Sequence, residues 1–454
     1  MLLPALPGVM RYQPPGPRGL PVVGNTRQYA KDPFTFLQAC EEAYGDLTRF
    51  EFGPMDTYLL TSPDEIERVL VTDAEKYRKP SFQDDAIGDL LGDGLLLSEG
   101  EQWRKQRDLA QPAFAMGRIV GLDEMMTDNA LAMLDDWEDG DVINVEMEMA
   151  RVTVAIIVEA MFGTSLTDEQ IETVQSNLEP LGARFEPDPL RFLLPDWAPT
   201  KENREYNRAV RSLEELVDEV VAERRGTEFG EGEEPMDLLS ILLRAQARGE
   251  QSDDQLRDEL MTMLLAGHDT TALTLTYAWL LLSEHPEVRD RVHEELDEVV
   301  SGAVPTAAEA RRLTYLERVL QETMRVYPPV YAIFREPKVD VRLAEYRVPA
   351  GSAVMLPQWA VHHSERWWDD PETFDPDRFL AARSRDRPRY AYFPFGAGPR
   401  HCIGKQFSML EAKLILGTVA ARFDLERLDE GPIERRGSLT MHPKEPPEMR
   451  LHAR

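Results

Sequence analysis

Cysteine is nearly absent from this chain of 454 residues, which has only Cys40 and Cys402. Two thiols cannot build a disulfide framework, and they suit a reducing compartment. Cys40, inside "FLQACEEAYG", reads as a small core hydrophobe. Long apolar runs are missing too. The N-terminal "MLLPALPGVM" is too short to span a bilayer, is broken by proline and has no basic flank. The longest apolar stretch, 260–282, is interrupted by "GHDTT". An aspartate at mid-membrane costs about 3 kcal/mol, so a buried helix is the better reading. The chain shows no internal repeat, which argues against a solenoid. We expect a soluble, cytoplasmic, monomeric protein.

Positive charge is also scarce. Against 82 acidic residues stand 51 basic ones, a net charge of -31. Such a surface repels nucleic acid and anionic membranes. Only nine of the basic residues are lysine, at 31, 76, 79, 105, 201, 338, 405, 413 and 444. Dispersed acids with few lysine stems suggest adaptation to high salt, where screening removes self-repulsion, and hence a halophilic archaeal source.

What is present is mostly helical pattern. A Pro/Gly-rich extended segment, 1–30, precedes the helical "DPFTFLQACEEAYG" and two strand-like runs, "LTRFEF" and "TYLLT". Amphipathic helices follow. The acidic break at 226–235 reads as a mobile surface loop within one domain, because neither flank has a complete core. Beyond Pro328 the pattern turns to short strands and loops, then one more helix and a terminal strand pair. The fold class is mainly α with a smaller β region, in a single domain over 1–454.

Ser252 and Gln255 form a capping box, and apolar spacing then continues from Leu256 to Leu282. This predicts a helix of roughly 30 residues, about 45 Å long. Its centre, "AGHDTT", is weak: glycine costs about 1 kcal/mol against alanine, and Thr270 and Thr271 can bond back to preceding carbonyls. Gly267 as a packing contact is one reading. The other is that Ala266 and Gly267 make room for a ligand, with Asp269 and Thr270 placed to deliver protons. Further on, Glu322 and Arg325 share a helix face, and Arg378 stands between aromatics in "FDPDRF". A buried carboxylate held by two guanidiniums would lock helix to loop.

The densest constellation is "FPFGAGPRHCIGKQF", 393–407. Gly396, Gly398 and Gly404 permit positive φ and close approach, Pro399 stiffens the turn, and a helix begins after Cys402. Backbone N–H groups at that helix start favour a thiolate, either as metal ligand or as nucleophile. Zinc, iron–sulfur and covalent haem sites need more ligands or a second cysteine. The axial ligand of a non-covalent haem needs one thiolate. A cysteine hydrolase remains the competitor, with His401 adjacent in sequence.

The chain resembles the cytochrome P450 family. The cysteine loop is similar to F-x-x-G-x-R-x-C-x-G at Phe395, Gly398, Arg400, Cys402 and Gly404, Glu322 with Arg325 to E-x-x-R, "FDPDRF" to the meander motif, "AGHDTT" to the oxygen-activating helix, and "WRKQR" to W-x-x-x-R. These stand in the family's order from 103 to 404. The resemblance implies a triangular prism with haem b between the long central helix and the cysteine-loop helix. It also implies a haem-thiolate monooxygenase that uses dioxygen and two externally supplied electrons to hydroxylate or epoxidise a hydrophobic small molecule.

By that resemblance Cys402 ligates iron and Phe395 shields the sulfur. Gly396, Gly404 and Ala266 border the haem, Arg400, Arg107, Trp103 and Arg335 hold propionates, and Asp269 with Thr270 serves proton delivery. Phe82, Leu264, Leu265, Val330, Ile333 and Leu439 line the pocket. No G-x-G-x-x-G is present, so electrons are expected from a separate ferredoxin and ferredoxin reductase. Lys105, Lys405 and Lys413, with Arg104, would form the docking patch. A peroxide-dependent or isomerase-type enzyme, or a haem sensor without turnover, is the alternative.

Overall fold

The computed structural model describes residues 13–183, 200–226 and 235–454. Residues 1–12 of the N-terminal segment and 227–234 of the acidic loop lie outside the described residues.

The central helix runs from Asp253 to Glu284 with the expected capping box: Gln255 N donates to Ser252 Oγ, and Gln255 Oε1 accepts from Ser252 N. Twenty of its 32 residues are buried. It packs against the helices Val145–Phe162, Thr314–Val326 and Lys405–Ala420, so it forms the axis of the large apolar core. No described helix is long and apolar enough to cross a membrane.

The strand-like runs form a hairpin, Leu47–Phe52 with Met55–Leu60, in register Leu47↔Leu60. It extends into a five-stranded sheet through Ala353–Leu356, Ile333–Pro337 and the edge strand Tyr77–Arg78. A second apolar cluster lies beneath this sheet. Pairing of Tyr77 with Pro337 and Arg78 with Glu336 sets Lys79 beside Arg335, a juxtaposition that matters below.

Cys40 is 3% exposed, and burial pushes its thiol up to about 12, as suits a core residue. The C-terminal region is richer than a strand pair. Phe423–Arg427 and Glu448–Ala453 pair in a sheet with Val142–Asn144, and Arg435–Gly437 makes a separate hairpin with Met441–Pro443. These strands are three to six residues long, too short for alternation to register in sequence.

Candidate functional site

The cysteine loop is held by its glycines and its own backbone. Gly396 and Gly398 have φ of 65° and 67°. A Cβ on Gly398 would lie 1.8 Å from the Leu70 carbonyl oxygen, so no larger residue fits there. Cys402 N donates to Phe395 O at 2.9 Å, which fixes Phe395 against the cysteine. The helix Lys405–Ala420 starts three residues on, and the N–H groups of Gly404 and Lys405 bond towards the sulfur.

Cys402 keeps accessible surface although protein atoms surround it closely. Burial raises its thiol above the usual value, and the two N–H groups with the Arg107 guanidinium offset only part of that. The N–H groups act in the direction expected of a helix start, but burial outweighs them. A cation on the sulfur supplies what is missing, since a coordinating thiol is deprotonated outright. Among the described residues no cluster of three His, Cys, Asp or Glu could hold a metal ion. A metal at Cys402 must therefore bring most of its ligands with it.

Ala266, midway along the central helix, is exposed between half-buried neighbours. Gly267 is different: a Cβ there would meet Ile157 at 2.6 Å, so its smallness serves packing rather than ligand space. Thr270 Oγ1 donates to Ala266 O at 3.1 Å and Thr271 Oγ1 to Gly267 O at 3.4 Å, as their helix positions suggest. The helix nevertheless continues unbroken. Thr271 Oγ1 and Ser408 Oγ, 2.9 Å apart, tie the two helices together.

A cationic cluster gathers at Lys79, Arg335 and Arg400. The Arg400 guanidinium stacks over Trp103, 4.6 Å from the ring centroid, donates to Ser98 O at 2.7 Å and pairs with Glu99 at 2.8 Å. Burial, then the Arg400 charge, push the buried Arg335 down to about 10, with Glu99 opposing. Burial, then Arg335 and Arg400, hold Lys79 well below the usual lysine value, again with Glu99 opposing. Three crowded cations thus share one carboxylate, and a dianionic group fits the deficit. Lys79 was missed in the sequence, because "KYRKP" carries no motif and only strand pairing brings it here. Arg107 stands apart: it donates to His401 O at 3.0 Å and lies 3.3 Å from His401 Nε2, beside Cys402.

Glu322, Arg325 and Arg378 meet as anticipated. Arg325 donates twice to Glu322 at 2.8 Å and Arg378 once at 3.2 Å, with every side chain at most 4% exposed. Arg325 also donates to His362 O and Thr373 O, and Asp375 N donates to Glu322. Helix and meander loop are thereby locked.

The expected pocket residues are placed unevenly. Phe82 meets Phe334 edge-on at 5.3 Å, and Leu265, Val330 and Ile333 are half-buried. Leu264 is 1% exposed within the core, whereas Leu439 is 45% exposed in the turn of the C-terminal hairpin. That turn brings an unforeseen group: Thr440 Oγ1 donates to Asp269 Oδ2 at 2.8 Å. His442 and Glu146 continue the contact. Nothing in a linear reading joins positions 146, 269, 440 and 442.

The expected lysine patch is met in part. Lys405 and Lys413 line one groove, but Lys413 is 6% exposed in an ion pair with Glu317 at 3.0 Å. Arg104 and Lys105 are exposed, with Lys105 donating to Glu250 O, and Lys405 is exposed 5.6 Å from the Phe395 ring centroid. The groove, of about 740 Å³, is also lined by Arg311, Arg389, Val71, Met116 and Phe395.

Comparison with known proteins agrees with this geometry. The family model described as Cytochrome P450 matches residues 14–449.

The chain belongs to the cytochrome P450 family.

It is 34% identical over 413 residues to cyclooctat-9-en-7-ol 5-monooxygenase of Streptomyces melanosporofaciens, covering 90% of this chain and 88% of that protein. To pentalenene oxygenase of Streptomyces avermitilis it is 31% identical over 414 residues, 90% of each chain. To cytokinin hydroxylase of Arabidopsis thaliana it is 32% identical over 402 residues, 85% of this chain and 76% of that one. The enzyme is accordingly a P450 monooxygenase, and its cofactor is non-covalent haem b on a cysteine thiolate. These relatives lend no support to a halophilic archaeal origin.

Proposed function

We propose that this P450 folds as one domain and oxidises a terpene-type hydrophobic molecule, with Cys402 as the thiolate and electrons drawn from a ferredoxin and its reductase. The reading rests on three features: a Cys402 that keeps accessible surface at the head of a helix, an exposed Ala266 midway along the central helix, and an under-neutralised cationic cluster at Arg335. When bound, haem activates dioxygen, and thiolate donation favours O–O cleavage.

The remaining work falls to the chain. Phe395, fixed by the Cys402 N–H, shields the sulfur, while Gly404 and Lys405 point N–H groups at it. Arg335, Arg400 and Lys79 would hold the propionates, with Trp103 stacked against Arg400. Arg107 holds the cysteine loop through His401 and would be a further propionate partner. Asp269 and Thr270 hold the protons that oxygen cleavage consumes. Their presence favours the monooxygenase over a peroxide-dependent or isomerase-type enzyme, or a sensor.

Terpene preference draws on the Streptomyces relatives named above and on the apolar Phe82, Leu265, Val330 and Ile333. The electron partner is a cytoplasmic ferredoxin whose acidic face meets Lys405, Arg311 and Arg389 around the groove. Salt adaptation rests on charge composition alone. Titration of the haem-loaded enzyme with terpene alcohols, fatty acids and steroids tests the substrate class through the low-to-high-spin change of the haem spectrum. Response to the terpenes and oxidised product with ferredoxin electrons support the reading. Response only to the other classes, or product only with added peroxide, overturns it.

A further inference from the structure

Asp269 receives its contacts from the tip of the C-terminal hairpin. The turn between Gly437 and Met441 is closed by Ser438, whose N and Oγ both donate to Thr440 O, at 3.0 and 3.1 Å. Met441 N donates to Pro329 O, and Tyr277 donates to Met441 O, so the strand is anchored from two sides. Side chains alternate along a strand. Met441, fully buried, therefore points into the core, while Thr440 and His442 share the face towards Asp269.

On that face the polar groups form one line. Glu146, in the first turn of the helix Val145–Phe162, lies 2.8 Å from His442 Nδ1. His442 Nε2 lies 2.9 Å from Thr440 Oγ1, which donates to Asp269 Oδ2 at 2.8 Å. Asp269 Oδ1 is 3.8 Å from the same imidazole nitrogen. Glu146, His442 and Asp269 side chains are 21%, 15% and 19% exposed. All three are partly exposed, Glu146 the most, unlike the Glu322 lock, whose ion pair with Arg325 is 0% exposed at both ends.

We propose that Glu146, His442 and Thr440 form a proton relay that recharges Asp269, with His442 as its positioning residue. This inference rests on the reading of Asp269 and Thr270 as the proton-delivery pair. In one cycle the imidazolium passes its Nε2 proton to Thr440 Oγ1, and Thr440 passes its own hydroxyl proton to the Asp269 carboxylate. His442 is left neutral with its proton on Nδ1; when the ring turns over, that N–H faces Thr440 and the bare Nε2 faces Glu146, whose carboxyl, protonated from solvent, supplies the proton that restores the imidazolium. One proton moves inward and no electrons change hands.

The groups around His442 favour its charged form. Burial opposes the charge, but Asp269 on the central helix and Glu146 across the imidazole outweigh it and raise His442 above the usual 6.5. Arg436 on the neighbouring strand works against them. His268, buried on the central helix, stays neutral because burial lowers its own basicity. The Tyr277 phenol, which faces Glu146, is held protonated by burial.

The test is histidine NMR on the reduced, carbon monoxide-bound enzyme, together with dioxygen consumption driven by a plant-type ferredoxin and its reductase. His442 is expected to titrate above 6.5, and lower in both Glu146→Gln and Asp269→Asn. Thr440→Val is expected to slow dioxygen consumption about tenfold or more, with no loss of thermal stability. The inference falls if His442 titrates at or below 6.5, or if Thr440→Val and Glu146→Gln consume dioxygen at the wild-type rate while Asp269→Asn is slow. If Asp269→Asn itself keeps the wild-type rate and pH profile, the proton-delivery reading of Asp269 falls as well.

Discussion

Two clusters of buried arginine in this enzyme look alike in sequence and differ in what surrounds them. Around Glu322, two guanidiniums share one fully buried carboxylate, and their remaining N–H groups reach the carbonyls of His362, Asp369, Asp370 and Thr373. Around Arg335, three cations crowd a single, partly exposed Glu99 and depress one another. The first cluster is complete within the chain and serves as a lock. The second is left under-neutralised around a partly exposed Glu99, which is the basis of the proposal that it holds the haem propionates. Fully buried pairing onto one carboxylate and the chain's own carbonyls, rather than the number of cations, sets the lock apart.

Breaking the complete cluster gives the largest expected effect. Glu322→Ala strands two guanidiniums in the interior and is expected to cost ~3–5 kcal/mol, read as a fall in the denaturation midpoint. A loss below 1 kcal/mol would mean that the triad behaves as a surface pair.

The incomplete cluster should respond in the opposite sense. Lys79→Met or Arg335→Met is expected to weaken haem retention about tenfold, or ~1.4 kcal/mol, without lowering the unfolding midpoint of the haem-free protein. The pH dependence follows from the same charges. Folded Lys79 and Arg335 bind protons less tightly than the unfolded chain, so the haem-free protein gains stability as pH rises from their depressed values towards 10.5 and 12.5, with Arg335 entering near 10. Bound haem should flatten that slope. An equal slope with and without haem would show that the propionates do not sit there.

The smallest effect lies on the outer face. Lys405→Glu is expected to slow ferredoxin reduction several-fold at low salt and little at high salt. Lys413→Glu should act on stability instead, because Lys413 is spent on Glu317. Equal, salt-dependent slowing by both would restore a lysine patch.

Much of this was legible because local chemistry dictated it. The capping box, the E-x-x-R spacing and the glycines of the cysteine loop each constrain backbone or charge within a few residues, and each reappears in three dimensions. What escaped was non-local. Lys79 reaches Arg335 through a two-residue strand, and Thr440 with His442 reaches Asp269 through a hairpin of three-residue strands. Segments this short carry no periodic signal. Gly267 stayed open between two readings, because smallness beside a ligand and smallness beside Ile157 read identically in one dimension, and the packing reading is the one the structure bears out.

The central claim is that Cys402 is the thiolate on which haem sits. Its most direct test is the difference spectrum of the reduced enzyme with carbon monoxide, compared with Cys402→His. The wild type should show the far-red-shifted band of thiolate ligation and the variant should lose it while still binding haem. Retention of that band by Cys402→His, or its absence from the wild type, would contradict the assignment.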